Sequence, residues 1–194
     1  MPTKAVFLDR DGTVIQERGH IGRIRQVKFI RGSATALRSL QELGFRIIVV
    51  SNQSGVARGI ITDKQVKTVN RFMRSELRKK RVKIDRVFYC PHHPRHGVNR
   101  YVRACKCRKP LTGMIDTACK SYGISLKNSY VVGDKIADVL LGKNAGSKSI
   151  LVLTGFGRKE RSKVVQKSTR PDYIAKSIVE AAKWIARDSR NGLA

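Results

Sequence analysis

Apolar and polar positions follow two alternating periods along this chain. Ala5–Leu8 is a continuous apolar run that stops at Asp9, which predicts a buried first strand. Ser33–Leu43 has apolar residues at Ala34, Leu37, Leu40 and Leu43, the spacing of a helix, and Gly44 follows as its stop. Arg46–Val50 reads as a second strand. Thr62 and Gln65 form a capping box for a helix to about Lys79, whose apolar face is Val66, Val69, Phe72, Met73 and Leu77. Ile84–Tyr89 predicts a third strand, and 90–109 a loop rich in Cys, His and Pro. A helix over Leu111–Tyr122 ends at Gly123. Ser129–Val132 and Ser149–Leu153 are strands four and five, with a helix over Ile136–Ala145 between them. A last helix is expected from about Tyr173 to Ala186, and residues 188–194 read as a frayed tail.

This alternation predicts an α/β fold. It is a doubly wound parallel five-stranded sheet of order 3-2-1-4-5, with helices on both faces and one domain over residues 1–187. The order reverses between strands one and four, where open α/β sheets bind ligands. Asp9, Ser51 and Asp134 each end a strand and converge there. The insertions are short, about Thr13–Ile30 and the 90–109 loop, so any cap over this edge is minimal.

Composition changes the picture in two ways. The 194 residues carry 41 Lys and Arg against 14 Asp and Glu, a net charge of +27. Such a field attracts phosphorylated small molecules and any polyanion. The plainer reading is a solvated basic surface, in which case nucleic acid binds only nonspecifically. No apolar run reaches the ~18 residues of a membrane span, and Ala5–Leu8 is too short for a secretory leader. The cytoplasm is the expected compartment. The second change is the cysteines: Cys90, Cys105 and Cys107 fall close together beside His92, a spacing that favours a metal over disulfides. Cys90, His92, Cys105 and Cys107 would fill a tetrahedral zinc with no open position, which makes the site structural; His93 is the alternative imidazole. Cys119, on a helix, reads as a small buried residue.

Asp9-Arg10-Asp11-Gly12-Thr13 ends the first strand. Asp9 can attack phosphorus and form an aspartyl-phosphate. Asp11 can protonate the leaving alcohol and then deprotonate water. An EF-hand reading fails, because the later ligands are missing. The Ser51 hydroxyl can hold phosphoryl oxygens. Lys109 can offset the charge of the phosphorylated aspartate, and Arg108 can bind substrate through its fork. Asp134 can ligate magnesium, and Asp138 reads as a charge at a helix N-terminus that supports the loop.

The order Asp9-x-Asp11-Gly12-Thr13, Ser51, Lys109 and Gly133-Asp134 resembles the haloacid dehalogenase-like phosphatase superfamily. Ser51-Asn52-Gln53-Ser54-Gly55, Cys90-Pro91-His92-His93-Pro94 and Cys105-x-Cys107-Arg108-Lys109-Pro110 are similar to its heptose-bisphosphate and histidinol-phosphate phosphatase subfamily. The resemblance implies a monomeric, magnesium-dependent, zinc-containing phosphoric monoester hydrolase acting on a sugar bisphosphate, for nucleotide-activated heptose and lipopolysaccharide synthesis. Asp9 would be the nucleophile and Asp11 the proton donor, with Ser51 and Lys109 steadying the phosphoryl group. Magnesium would sit on Asp9, Asp11 and Asp134, with Lys135 behind them. Substrate contacts would come from Glu17, Arg18, Gly19, His20, Asn52, Gln53 and Arg108. Glu17-Arg18-Gly19-His20 stands where the subfamily has an Asp-His-Gly-Tyr-like stretch, and Ser51 where it often has Thr. The insert also carries Arg23, Arg25, Lys28 and Arg31, a basic rim suited to a second phosphate. Histidinol phosphate or another small ester is the alternative substrate. A polynucleotide 3′-phosphatase or a basic nucleic-acid-binding protein is the alternative of another class.

Overall fold

A computed structural model of the chain describes residues 3–98, 100–166 and 169–191. Its strands are β1 (Lys4–Leu8), β2 (Phe45–Asn52), β3 (Arg86–Cys90), β4 (Tyr130–Gly133), β5 (Lys148–Val152) and β6 (Tyr173–Ala175). The helices are α1 (Ser33–Glu42), α2 (Asp63–Lys79), α3 (Gly113–Tyr122), α4 (Ile136–Ala145), α5 (Gly157–Arg161) and α6 (Ile178–Asn191). All strand pairs are parallel, in the order β3-β2-β1-β4-β5-β6.

The expected order of the first five strands holds, but the sheet has six strands, not five. Residues 173–175 pair with Ile150–Val152 instead of opening the last helix. Three residues are too few to show a period, so the strand merged with the helix that follows. That helix starts at Ile178, where Glu180 reaches back to accept from the Lys176 amide. It also runs on to Asn191. Asp188, expected in a frayed tail, accepts from the Tyr130 hydroxyl at 2.6 Å and from Lys148 at 2.7 Å. The rest of that expected tail, 192–194, lies outside the described residues.

The sheet is buried on both faces, and alternate residues of each strand serve opposite layers. Val6, Leu8, Ile47, Val49 and Val132 pack with α1, α2 and α6 through Leu37, Met73 and Ile178. Ala5, Phe7, Ile48, Val50 and Val131 pack with α3 and α4 through Ile115 and Leu141. Phe7 is fully buried at the centre, and its truncation to Ala would cost ~3–5 kcal/mol. This double packing makes the C-terminal ends of β1, β2 and β4 a rigid platform.

Candidate active site

Asp9 follows β1 directly, and its amide bonds the Val132 carbonyl of β4 at 2.9 Å. That bond fixes the Asp9 backbone at the seam where the strand order reverses. Lys109 reaches it from the loop before α3. Its Nζ lies 2.8 Å from Asp9 Oδ1, 2.5 Å from Asp138 Oδ1 and 2.9 Å from the Val50 carbonyl. Asn52 anchors this loop through two reciprocal bonds, Nδ2 to the Lys109 carbonyl and Oδ1 from the Lys109 amide. Lys109, Asp9 and Asp138 are all buried. Burial alone would raise the Asp9 carboxyl, but the Lys109 and Lys135 ammoniums more than reverse this and hold it low. Burial would likewise lower the Lys109 ammonium, and Asp138 and Asp9 outweigh that and push it up.

Asp134 ends β4 and faces Asp9. Its Oδ2 accepts from the Phe156 amide at 2.8 Å, while its buried Oδ1 has no partner. Burial, and next the Asp9 charge, push its carboxyl up to about 8. Gly12 and Gly155 cradle this carboxylate, both at positive φ, and a Cβ on either would collide with it. Thr154 closes the cradle by donating from Oγ1 to the Gly12 carbonyl at 2.6 Å. Asp9, Asp134 and Asp138 thus bring ligand atoms within 4.8 Å of one another. An orphaned carboxylate oxygen beside a second carboxylate, in a pocket that admits no side chain, suits a small hard cation such as magnesium.

Asp11 differs from expectation. Its carboxylate is not part of that cluster. Arg10 holds both its oxygens, and Gln53 Nε2 donates to Oδ2 at 2.7 Å. Both its oxygens are thus engaged, and the third carboxylate grouped with Asp9 and Asp134 is Asp138. Asp138 does support its helix as expected, accepting from the Lys135 amide at 3.1 Å, and it also neutralises Lys109. Ser51 is buried, and its Oγ accepts from Gln53 at 2.9 Å. Lys135 lies over the Phe156 ring at 4.5 Å and 3.7 Å from Glu17, so it bridges the cluster to the first insert. Arg18, Gly19 and His20 are exposed on that insert, with the His20 ring against Gly55.

The cysteine loop gathers as its spacing implies. Cys90, Cys105 and Cys107 sulfurs lie 3.3–3.5 Å apart in sequence order, and His92 Nδ1 is 3.6 Å from Cys90 and 3.4 Å from Cys107. These separations are far beyond a disulfide and match the edges of a tetrahedron around one zinc. His92 is the imidazole that joins the three sulfurs, while His93 Nδ1 accepts from the Arg95 and His96 amides. Arg108 donates to the His92 carbonyl at 3.0 Å, which ties the zinc loop to the substrate side. Cys119 is half-buried against the α3 core.

Three contributors were not foreseen: Arg10, Asn70, which accepts from Arg10 at 2.8 Å, and the 154–156 segment after β5. The last had a signal, since Gly155-Phe156-Gly157 follows a strand end as the other site loops do.

A parallel sheet with an Asp-x-Asp turn, a buried lysine and a distal aspartate at its switch point defines a haloacid dehalogenase-like hydrolase. A family model described as HAD-hydrolase-like matches residues 106–181. D-glycero-beta-D-manno-heptose-1,7-bisphosphate 7-phosphatase of Pasteurella multocida is 39% identical over 94% of this chain and 96% of its own length. The enzyme of the same name from Escherichia coli K12 is 42% identical over 78% of this chain and 80% of its own. The crystal structure of D,D-heptose 1,7-bisphosphate phosphatase from B. bronchiseptica, complexed with magnesium and phosphate, superposes with a TM-score of 0.81. It is 28% identical, covering 96% of this chain and 99% of that one. The chain belongs to the D-glycero-beta-D-manno-heptose-1,7-bisphosphate 7-phosphatase family.

Proposed function

We propose that this protein removes the 7-phosphate of D-glycero-beta-D-manno-heptose 1,7-bisphosphate through an aspartyl-phosphate on Asp9. The observation that carries this reading is the buried pairing of Asp9 with Lys109 beside the unpartnered Asp134 oxygen. Asp9 attacks phosphorus, an O–P bond forms, and the bond from phosphorus to the sugar oxygen breaks. Asp11 gives its proton to that leaving oxygen and later takes one from the attacking water. Lys109 keeps Asp9 ionised for attack and offsets charge as the phosphoryl group arrives. Magnesium, held by Asp9 and Asp134, would stabilise the transferring phosphoryl group electrostatically. Ser51 and Gln53 present a polar edge to the phosphoryl oxygens. Arg108 and the Glu17–His20 insert face the sugar, with Arg23 and Arg25 positioned along the chain for the second phosphate. Zinc on Cys90, His92, Cys105 and Cys107 keeps Arg108 and Lys109 in register.

The family name and the full-length coverage support the substrate class. Among the described residues no helix is long and apolar enough to cross a membrane. The test is phosphate release from the heptose bisphosphate with added magnesium. Wild-type protein should turn over this substrate faster than histidinol phosphate, and Asp9→Asn should show none while keeping its circular dichroism spectrum. Near-normal release by the Asp9→Asn variant would rule the mechanism out.

A further inference from the structure

Helix α2 presents two unlike faces. Val66, Val69, Met73 and Leu77 point inward and are buried. Lys67, Arg71, Arg74 and Arg78, spaced four, three and four apart, form one exposed stripe on the other side. At 1.5 Å per residue the stripe is ~16 Å long. Arg71, Arg74 and Arg78 wall a groove of about 630 Å³ whose opposite side is the 82–85 connection into β3, with Arg81 and Lys83 also lining it. The groove continues at both ends. Arg71 and Arg74 share a second hollow with Lys64 and Lys67, and Arg81 shares a third with Arg38, Lys79 and Lys80.

Each nearby acid already has a basic partner. Asp63 pairs with Lys67, Glu76 with Lys79 and Asp85 with Arg46. Among the described residues no carboxylate lies within ion-pair distance of Arg71, Arg74, Arg78, Arg81 or Lys83. Like charges at helical neighbours cost stability, and the phosphatase chemistry uses none of these side chains.

We propose that this groove binds the phosphodiester backbone of a nucleic acid. Lys67 apart, which Asp63 pairs, the row Arg71, Arg74 and Arg78 has no carboxylate partner among the described residues, and it matches a ligand with repeated anionic groups better than a single small anion. Duplex DNA offers a phosphate about every 1.7 Å of its axis. A membrane surface fits less well, because docking into lipid uses exposed apolar residues. The large exposed ones are Ile24, Ile60, Val98, Leu111, Phe156 and Val165, and none lines the groove. The groove beside Arg78 has no aromatic ring, and Tyr89 in the second hollow is bonded to Asp63, so bases have little to stack on and binding is independent of sequence.

The experiment uses the full chain and two fluorescein-labelled probes, a short single-stranded RNA and a short DNA duplex, titrated by anisotropy across a salt series. Arg71→Gln, Arg78→Gln and Lys83→Gln combined should weaken binding at least tenfold at about 0.15 M salt and flatten the log–log salt slope by about 2–3. Phosphate release from the sugar bisphosphate should not change. A control carrying Lys120→Gln, Lys127→Gln and Lys183→Gln removes the same charge from other exposed positions. Equal weakening by that control means diffuse attraction and overturns the proposal, as does absence of binding by the wild type at that salt. Tighter binding to phosphatidylserine vesicles than to either probe, lost in the groove variant, replaces the nucleic acid with a membrane surface. If the triple variant loses its fold, Arg78→Gln alone, whose side chain makes no bond among the described residues, should still flatten the slope by about one.

Discussion

Arg10 grips both carboxylate oxygens of the residue that follows it, Asp11, through Nε at 3.0 Å and Nη2 at 2.9 Å. The guanidinium is fully buried and its remaining arm is fixed by Asn70. A planar fork aligns a carboxylate in a way that a lysine ammonium does not. Arg10→Lys keeps the charge and loses the alignment. Turnover should fall by about 10²-fold, the cost of a misplaced reacting group, while the Michaelis constant stays within a few-fold. Steady-state kinetics on the heptose bisphosphate separates the two. A rise in the Michaelis constant at unchanged turnover would place Arg10 in substrate binding instead.

Lys109 is the only cation within ion-pair distance of both Asp9 and Asp138 among the described residues. Lys109→Met leaves two buried carboxylates without it, and losing one partner of a buried pair costs ~3–5 kcal/mol. Urea unfolding should show that loss, and phosphate release should vanish. Added magnesium should recover part of the melting temperature, because a divalent cation offsets the same charges.

Gly155→Ala tests the cradle around Asp134. A methyl group there, at positive φ, meets both the Asp134 carboxylate and the Gly12 backbone. Magnesium affinity, measured by calorimetry, should drop at least tenfold. Unchanged affinity would remove Asp134 from the metal site.

The zinc loop predicts about one zinc per chain by elemental analysis. Cys105→Ser, or removal of the metal with a strong chelator, should open 93–106 to limited proteolysis and lower the melting temperature. Activity should fall with it, because Arg108 is tied to the His92 carbonyl. Zinc-free protein with unaltered melting would contradict the assignment.

Asp63, at the start of α2, offers a pH test. Its burial would raise the carboxyl, but bonds from Lys67 and the Tyr89 hydroxyl hold it below its ordinary value. A lowered folded-state value stabilises the fold above the unfolded value, about 3.9, and that contribution is lost as pH falls through the folded one. Asp63→Asn should therefore melt lower than wild type at neutral pH. The gap should close below about pH 4.

Much of this was legible in the sequence because the catalytic acids sit where apolar runs stop. Asp9 and Asp134 interrupt β-branched stretches, and a carboxylate there has no role in the core. The cysteine cluster was legible by spacing, which left the choice between His92 and His93 to the fold. Arg10 was not, since a charged residue in a turn reads as solvent-facing, and only the fold shows it fully buried against Asp11 and Asn70. Asp138 was half legible: a helix-start acid announces its cap, and its bond to Lys109 depends on a loop 29 positions upstream. The strand at Tyr173–Ala175 is shorter than any period that could reveal it.

The sheet order has a further consequence. Strands β1–β3 come from the first half of the chain and β4–β6 from the second. They meet where Val6–Leu8 pairs with Tyr130–Val132. Asp9, Asp11 and Ser51 come from the first half of the chain, and Lys109, Asp134 and Asp138 from the second. Neither half of the chain alone holds all three clustered carboxylates, Asp9 from one and Asp134 with Asp138 from the other, so the group is assembled only when the two halves pair.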